Sequence, residues 1–194
     1  RHARHPYTIQ LINAEPRGTP DPVSPTAETI VETDKLRVWF PVRRGLLRRT
    51  VGHIKAVTDV SISVRAGETL GIVGESGSGK TTLALGILRL IRSEGRIVFM
   101  GNRIDGVRTK ELRGLRRDMQ VVFQDPYGSL SPRMSVRQIV AEGLGVHGLR
   151  DAARSERDEV AEALKEVGLD PDAMDRYPHE FSGGQRQRIA VARA

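Results

Sequence analysis

One stretch, Gly74–Thr82, constrains the fold of this chain more than any other part of the sequence. It reads Gly-Glu-Ser-Gly-Ser-Gly-Lys-Thr-Thr and fits the phosphate-binding pattern G-x-x-x-x-G-K-[ST]. The apolar run Thr69–Val73 before it is typical of a buried strand, and residues 83–88 after it predict the start of a helix. This pattern binds phosphate where the glycine loop connects a strand to a helix, and the same order is predicted here. A phosphate-binding loop is therefore a stronger interpretation than an accidental glycine-rich turn.

The residue types in this loop predict how it would hold a phosphate. Glycines lack Cβ, so the loop can adopt positive φ and bring successive backbone N–H groups close to phosphate oxygens. The N-terminus of the following helix adds partial positive charge. Lys80 is expected to reach the β- and γ-phosphates, and the Thr81 hydroxyl to ligate Mg²⁺.

Composition restricts the classes of partner. The formal net charge of +7 makes nucleic acid or an acidic membrane surface a candidate, but an aromatic content of 4% argues against a stacking platform for single strands. Arginine pairs such as Arg43-Arg44 and Arg48-Arg49 are interpreted as solvated surface. The absence of cysteine excludes thiolate zinc sites and disulfides, and no apolar run approaches the ~18 residues that span a bilayer.

The order of patterns along the chain predicts an α/β protein. Residues 1–34 contain five of the ten prolines and have the composition of a linker. Alternating apolar residues predict strands from Lys35 to a stop at Pro41 and again over 56–64; further strands are expected at 95–100 and 119–123. Helical stripes follow, behind possible caps at Ser135 and Ser155. This order indicates an antiparallel sheet beside a parallel core.

A second motif, Ser182-Gly183-Gly184-Gln185, opens the final helix. Alone it would be an ordinary helix cap, although free N–H groups, a hydroxyl and the helix dipole there also suit an anion. Together with the phosphate loop and with Gln124 after an apolar run, it makes the chain resemble the nucleotide-binding domain of an ABC transporter. Gly74–Thr82 is then the Walker A loop, Gln124 the Q-loop glutamine and 182–185 the signature motif. The amino-acid sequences of the motifs are most similar to those of dipeptide/oligopeptide importer ATPases, and the resemblance runs from about Lys35 to Ala194.

The resemblance implies a P-loop NTPase fold with a RecA-like parallel core, an antiparallel β subdomain and a helical signature subdomain at about 125–181, incomplete at the C-terminus. ATP and Mg²⁺ are the implied cofactors. Lys80 and Gln124 would be catalytic, with Thr81 and Gln124 near the metal. Phe40 would stack on adenine; a core role for Phe40 and adenine stacking on Trp39 are the alternatives. The remaining implied nucleotide contacts are Gly74, Glu75, Ser76, Gly77, Ser78, Gly79, Lys80, Thr81, Thr82, Ser182, Gly183, Gly184 and Gln185.

The resemblance also implies a function and partners. The expected protein is the ATP-binding subunit of a peptide importer, peripheral at the cytoplasmic face of the plasma membrane, with integral-membrane permease subunits and a second ABC ATPase domain as partners. No nucleic acid is expected, although a nucleic-acid-associated ABC ATPase of the translation or repair type is the alternative. His5–Thr8 resembles the end of such a domain, so residues 1–34 are interpreted as the tail of a preceding ATPase domain and a linker in a duplicated, microcin C-like importer ATPase. The Walker B segment, catalytic glutamate, D-loop and switch histidine of the family lie beyond Ala194, so residues 1–194 alone are expected to be inactive.

Overall fold

The computed structural model describes residues 22–45, 48–148 and 154–194, together with positions 5, 8, 9, 12 and 19. The chain forms two compact units, Arg1–Asp105 and Gly106–Ala194, and each is described by itself. The interpretation of residues 1–34 as the end of a preceding domain falls mostly on residues outside the described part, including Pro6 and Tyr7 of the His5–Thr8 segment.

The first unit is built on a four-stranded antiparallel sheet in the order β2-β1-β3-β4. The strands are β1 (Thr29–Arg44), β2 (Arg49–Arg65), β3 (Glu94–Phe99) and β4 (Asn102–Arg103). Leu36, Val38 and Ile97 are almost completely buried, as the alternating pattern predicts. The antiparallel sheet inferred from the sequence is therefore present.

The strand β1 extends beyond the predicted bounds at both ends. It begins at Thr29, within the segment predicted as a linker, because Thr33 is buried between two partner strands although it is polar. Its hydroxyl donates to the carbonyl of Val60 (3.3 Å) and accepts the N–H of Ile62 (3.0 Å). At the other end β1 continues past Pro41. Among the described residues it pairs there with β2 alone, and the free edge of such a strand tolerates proline.

Two segments predicted as strands, Thr69–Val73 and Met119–Phe123, are irregular in the structure. A parallel strand needs a neighbouring strand on at least one side, and the described residues supply no partner strand to either segment. Val73 is accordingly 92% exposed. An apolar run thus predicts a strand only when a neighbouring strand is there to pair with it.

In the first unit, the described positions 8, 9 and 12 are helical, and the phosphate loop is followed by the helix α1 (Lys80–Ile87). The second unit is helical, with α2 (Pro126–Ser129), α3 (Val136–His147), α4 (Glu156–Glu166) and α5 (Gly183–Arg193). Short 3₁₀ helices cover Glu111–Asp118, Pro171–Asp175 and Pro178–Glu180. None of the described helices has the length and apolar character needed to cross a bilayer.

The helical stripes predicted from the sequence form the core of the second unit. Val136, Ile139, Val160, Leu164 and Ile189 are at most 2% exposed and belong to one apolar cluster. The predicted caps are also present: the hydroxyl of Ser135 accepts the N–H of Gln138, and that of Ser155 accepts the N–H of Asp158. Capping and packing therefore fix the ends and the buried faces of α3 and α4.

Candidate functional site

The phosphate loop leads directly into α1, and the Lys80 side chain folds back across it. Its Nζ donates to the carbonyl oxygens of Gly74 (2.8 Å) and Glu75 (2.6 Å) and lies 3.5 Å from the Ser78 hydroxyl. Residues 71–78 are exposed, whereas Lys80 is half-buried. The ammonium group is therefore held over an open loop, where incoming phosphate oxygens would replace carbonyl oxygens as its acceptors.

The shape of the loop depends on Gly79, which caps α1 at φ +96°. A Cβ built at this position would lie 2.4 Å from the carbonyl oxygen of Ala56 in β2, so no side chain fits. Gly77 also has positive φ (+81°), but it faces open space. The loop thus needs one glycine for close packing and another only for its backbone conformation.

The residues present fit a bound nucleotide phosphate with its metal ion. The free N–H groups at the start of α1 and the Lys80 ammonium suit an anion, and the exposed Thr81 hydroxyl is a suitable oxygen ligand for Mg²⁺. Among the described residues no group of three or more His, Asp or Glu side chains could hold a metal ion by itself. A magnesium ion here would therefore take part of its ligand set from the nucleotide.

Phe40 and Trp39 both line a cavity of about 420 Å³ next to the β1–β2 ribbon. Phe40 is 42% exposed, so it is not a core residue. The Trp39 ring lies 4.5 Å from the Lys55 ammonium, and its indole N–H donates to the Thr58 hydroxyl (3.1 Å). Phe40 thus has the less occupied ring face of the two, which favours it for stacking on a base.

The signature residues form the N-terminal cap of α5. The Ser182 hydroxyl accepts the N–H of Gln185 (3.3 Å), and the Gln185 side-chain oxygen accepts the N–H of Ser182 (2.9 Å). Ser182, Gly183, Gly184 and Gln185 are all exposed. The Gln185 side chain is therefore occupied in the cap, and Gly183 and Gly184 present the helix N-terminus to solvent.

A buried arginine that the sequence analysis missed supports this cap from below. Arg186 is 9% exposed; its Nε donates to the Pro178 carbonyl (2.7 Å) and its Nη2 to the His179 carbonyl (3.3 Å). The signal was in the sequence, because Arg186 shares the buried helical face with Ile189 and Ala190 at spacings of three and four. The charged side chain thus fixes the segment that leads into Ser182.

The carboxylate of Glu180 holds the same segment in place. Glu180 accepts the N–H of Tyr177 (2.8 Å) and the Arg176 Nε–H (3.0 Å), and these two contacts, in that order, lower the pKa of Glu180. Arg176 also lies over the ring of the buried Phe181, 4.9 Å from its centroid. The residues before Ser182 are thus tied to one another and to the core.

A second ionic network joins the helices of this unit. Asp175 accepts hydrogen bonds from Arg157 (3.0 Å) and Arg137 (3.3 Å), and Arg137 also contacts Glu156 (3.1 Å). Hydrogen bonding to Arg157, followed by the contacts with Arg137, lowers the pKa of Asp175 below its usual value. The network links α3, α4 and the 3₁₀ helix Pro171–Asp175.

Gln124 lies at an exposed bend before α2 in the second unit. Phe40 and the phosphate loop belong to the first unit, and Gln124 and the signature residues to the second. Within the first unit the structure brings Lys80 into contact with Gly74, Glu75 and Ser78; within the second it joins Ser182 to Gln185.

Comparison with known proteins identifies the family. The protein-family model described as ABC transporter matches residues 57–194, which is most of the chain and contains both motifs. This chain belongs to the ABC transporter family. The resemblance drawn from Gly74–Thr82, Gln124 and Ser182–Gln185 is thereby confirmed at the family level.

Curated relatives are similar over much of the chain. It is 57% identical over 192 residues to the peptidoglycan transport ATP-binding protein YejF of Agrobacterium fabrum. The alignment covers 98% of this chain and 35% of YejF. It is 48% identical over 169 residues to the oligopeptide transport ATP-binding protein AppF of Bacillus subtilis (86% of this chain, 51% of that protein). The chain therefore spans between about a third and a half of these two relatives.

Solved structures of ABC cassettes have the same fold. The dimeric MJ0796 cassette, in a post-hydrolysis state bound to ADP and Pi, superimposes with a TM-score of 0.71 at 28% identity, over 84% of this chain and 68% of that one. The cbiO1 protein of Clostridium perfringens gives a TM-score of 0.65 at 28% identity, over 85% of this chain and 60% of that one. The P-loop ABC ATPase fold predicted from the sequence is confirmed.

Proposed function

We propose that the chain is part of the ATP-binding subunit of an ABC importer that couples ATP hydrolysis to the uptake of peptides or peptide-like substrates. The observation that carries the proposal is the pair of exposed helix N-termini that the two motifs form, one beside the Lys80 ammonium and one at the Ser182 cap of α5. The names of similar proteins favour transport over a nucleic-acid-associated role: YejF is a peptidoglycan transport protein, AppF an oligopeptide transport protein, and GsiA of Escherichia coli, 50% identical over 171 residues, a glutathione import protein.

In the proposed reaction the phosphate loop binds and orients ATP. Lys80 and the first N–H groups of α1 hold the β- and γ-phosphates, and Phe40 stacks on the adenine. Thr81 and Gln124 would hold Mg²⁺, which neutralises charge on the phosphates when it is bound. Lys80 and Gln124 are therefore the residues to which we assign a catalytic role.

The signature cap acts on a nucleotide bound by another ATPase domain. The Ser182 hydroxyl and the N–H groups of Gly183 and Gly184 would donate to its γ-phosphate, so that hydrolysis requires two domains that close on each other. The dimeric MJ0796 cassette supports this arrangement. The other proposed partners are permease subunits, and the proposed location is the cytoplasmic face of the plasma membrane.

A relative of which this chain covers 35% is long enough to contain a second domain of the same kind. We infer that residues 35–194 are part of one ABC domain, with 125–181 as approximately its helical subdomain. The strand β1 extends this domain back to Thr29. The rest of residues 1–34 would link it to a preceding ATPase domain. The match to YejF over 98% of this chain includes most of that linker.

Substitution of the loop lysine tests the proposal. In the full-length protein reconstituted with its permease subunits, Lys80→Ala is expected to reduce ATP turnover at least about a hundredfold, since it removes the charge that stabilises the transferring phosphate. Lys110→Ala, at an exposed lysine in the second unit, is the matched control and should be silent. Normal turnover in the Lys80 variant would refute the assignment.

A further inference from the structure

The net positive charge of this chain comes from one segment. Residues 35–58 contain seven of the 31 Lys and Arg residues and none of the 24 Asp and Glu residues. The remaining 24 basic and 24 acidic residues balance, so this segment carries the whole formal net charge of +7. It coincides with most of β1, the residues between β1 and β2, and the first half of β2.

Four of these charges lie together where β1 meets β2. Arg43, Arg44, Arg48 and Arg49, here named the hairpin arginines, are all exposed, and none of them forms an ion pair with a carboxylate in the described part of the chain. Arg44 and Arg49 stand directly opposite each other in the ladder. Like charges at such a position destabilise a β ribbon, so the arrangement points to an external anion that compensates them.

Exposed apolar side chains accompany the hairpin arginines. Val51 is 60% exposed and Ile54 is 63% exposed, and Ile54 pairs with the 42% exposed Phe40. Beyond Arg37, β1 pairs with β2 alone within the described part of the chain, so these side chains stand on a two-stranded ribbon and are open to solvent. The end of the ribbon is therefore both basic and apolar, a combination typical of surfaces that bind at a membrane interface.

We propose that the hairpin arginines, with Val51 and Ile54, dock on the anionic phospholipid headgroups of a membrane. A nucleic-acid partner is less favoured, because branched aliphatic side chains gain little from a phosphate backbone and the Trp39 ring is already contacted by Lys55. The four arginines are spread over the end of the ribbon, so each can contact a separate anionic headgroup on a membrane surface. The inference rests on the proposed function only in placing the protein beside a membrane.

Vesicle flotation of the full-length protein, purified without permease subunits, tests the inference. Binding is expected to vesicles of phosphatidylcholine with about 30% phosphatidylglycerol and not to phosphatidylcholine alone. Raising the salt concentration from about 0.1 M to about 0.5 M should weaken it, because the Debye length shortens. The double substitution Arg43→Gln with Arg44→Gln should weaken binding about 25-fold, at about fivefold for each charge.

The control removes the same charge elsewhere. Arg113→Gln with Arg133→Gln, at exposed positions of the second unit, should bind vesicles as the unsubstituted protein does. Equal loss in the control, no binding to anionic vesicles, or tighter binding to a single-stranded RNA than to vesicles would each overturn the inference. Lys80→Ala separates the two proposals: vesicle binding should persist when turnover is lost, and normal turnover with intact binding would contradict the proposed function alone.

Discussion

Replacement of the buried Arg186 is expected to destabilise the segment that leads into the signature helix. Arg186→Met retains an apolar stem but removes the hydrogen bonds to the carbonyls of Pro178 (2.7 Å, buried) and His179 (3.3 Å, part-buried). A hydrogen bond from a charged donor contributes about 1.5–3 kcal/mol, and we take the longer, part-buried one as about half as strong as the buried one. The expected destabilisation is therefore about 3 kcal/mol.

This value corresponds to a measurable change in the full-length protein. At about 2–4 °C for each kcal/mol, the thermal midpoint of the ATP-binding domain should fall by about 6–12 °C. ATP turnover should also fall at a temperature where the variant is folded. If Ser182 is less well positioned and the activation free energy rises by ~1.4 kcal/mol, turnover should fall about tenfold. The KM for ATP should change little, because the phosphate loop is in the other unit.

Two further variants make the test specific. Arg186→Lys keeps the charge and can satisfy one of the two carbonyls, so it should recover part of both losses. Arg188→Met, on the same helix, removes a single exposed bond to the Gly168 carbonyl and should change stability by about 0.5 kcal/mol. An unchanged midpoint and turnover in Arg186→Met would contradict a supporting role for the Arg186 hydrogen bonds. Equal losses in Arg188→Met would also contradict it.

Three other predictions concern the loop, the ionic network and the cavity. Gly79→Ala should destabilise the nucleotide-free protein by more than about 3 kcal/mol, because its Cβ would lie 2.4 Å from a backbone oxygen of β2, whereas Gly77→Ala should cost only ~1–2 kcal/mol of backbone strain; equal losses in denaturant unfolding would contradict this. The pKa of Asp175 is lowered in the folded state, so its stabilisation is present above the unfolded pKa of about 3.9 and is lost as the pH falls through the lower folded value. Asp175→Asn should therefore lower the thermal midpoint more at pH 7 than at about pH 2–3, and a difference independent of pH would count against the ionic cause. Phe40→Ala should weaken ATP binding about tenfold in calorimetry and Trp39→Ala should not, whereas the reverse result would assign the adenine to the tryptophan.

The sequence predicted local features more successfully than sheet pairing. The turn at Gly79, the cap at Ser182 and the buried stripe of α3 follow from residues close together in the chain, and all three are present. The runs 69–73 and 119–123 were wrongly predicted as strands, because pairing depends on a neighbouring strand that local pattern does not reveal. The opposite error occurred at Thr33. Residues 29–34 were predicted as linker, but they belong to β1, which two neighbouring strands stabilise there.

By itself the sequence determined the chemistry of this protein: a lysine and glycines that suit phosphate, and a serine and glycines that open a helix. These motifs act through a few consecutive residues, so their spacing is sufficient to recognise them. Only the tertiary structure decided which charges are buried and which are exposed. Arg186 is enclosed beneath the signature cap, whereas Arg44 and Arg49 face each other in solvent, because burial depends on contacts between segments far apart in the chain.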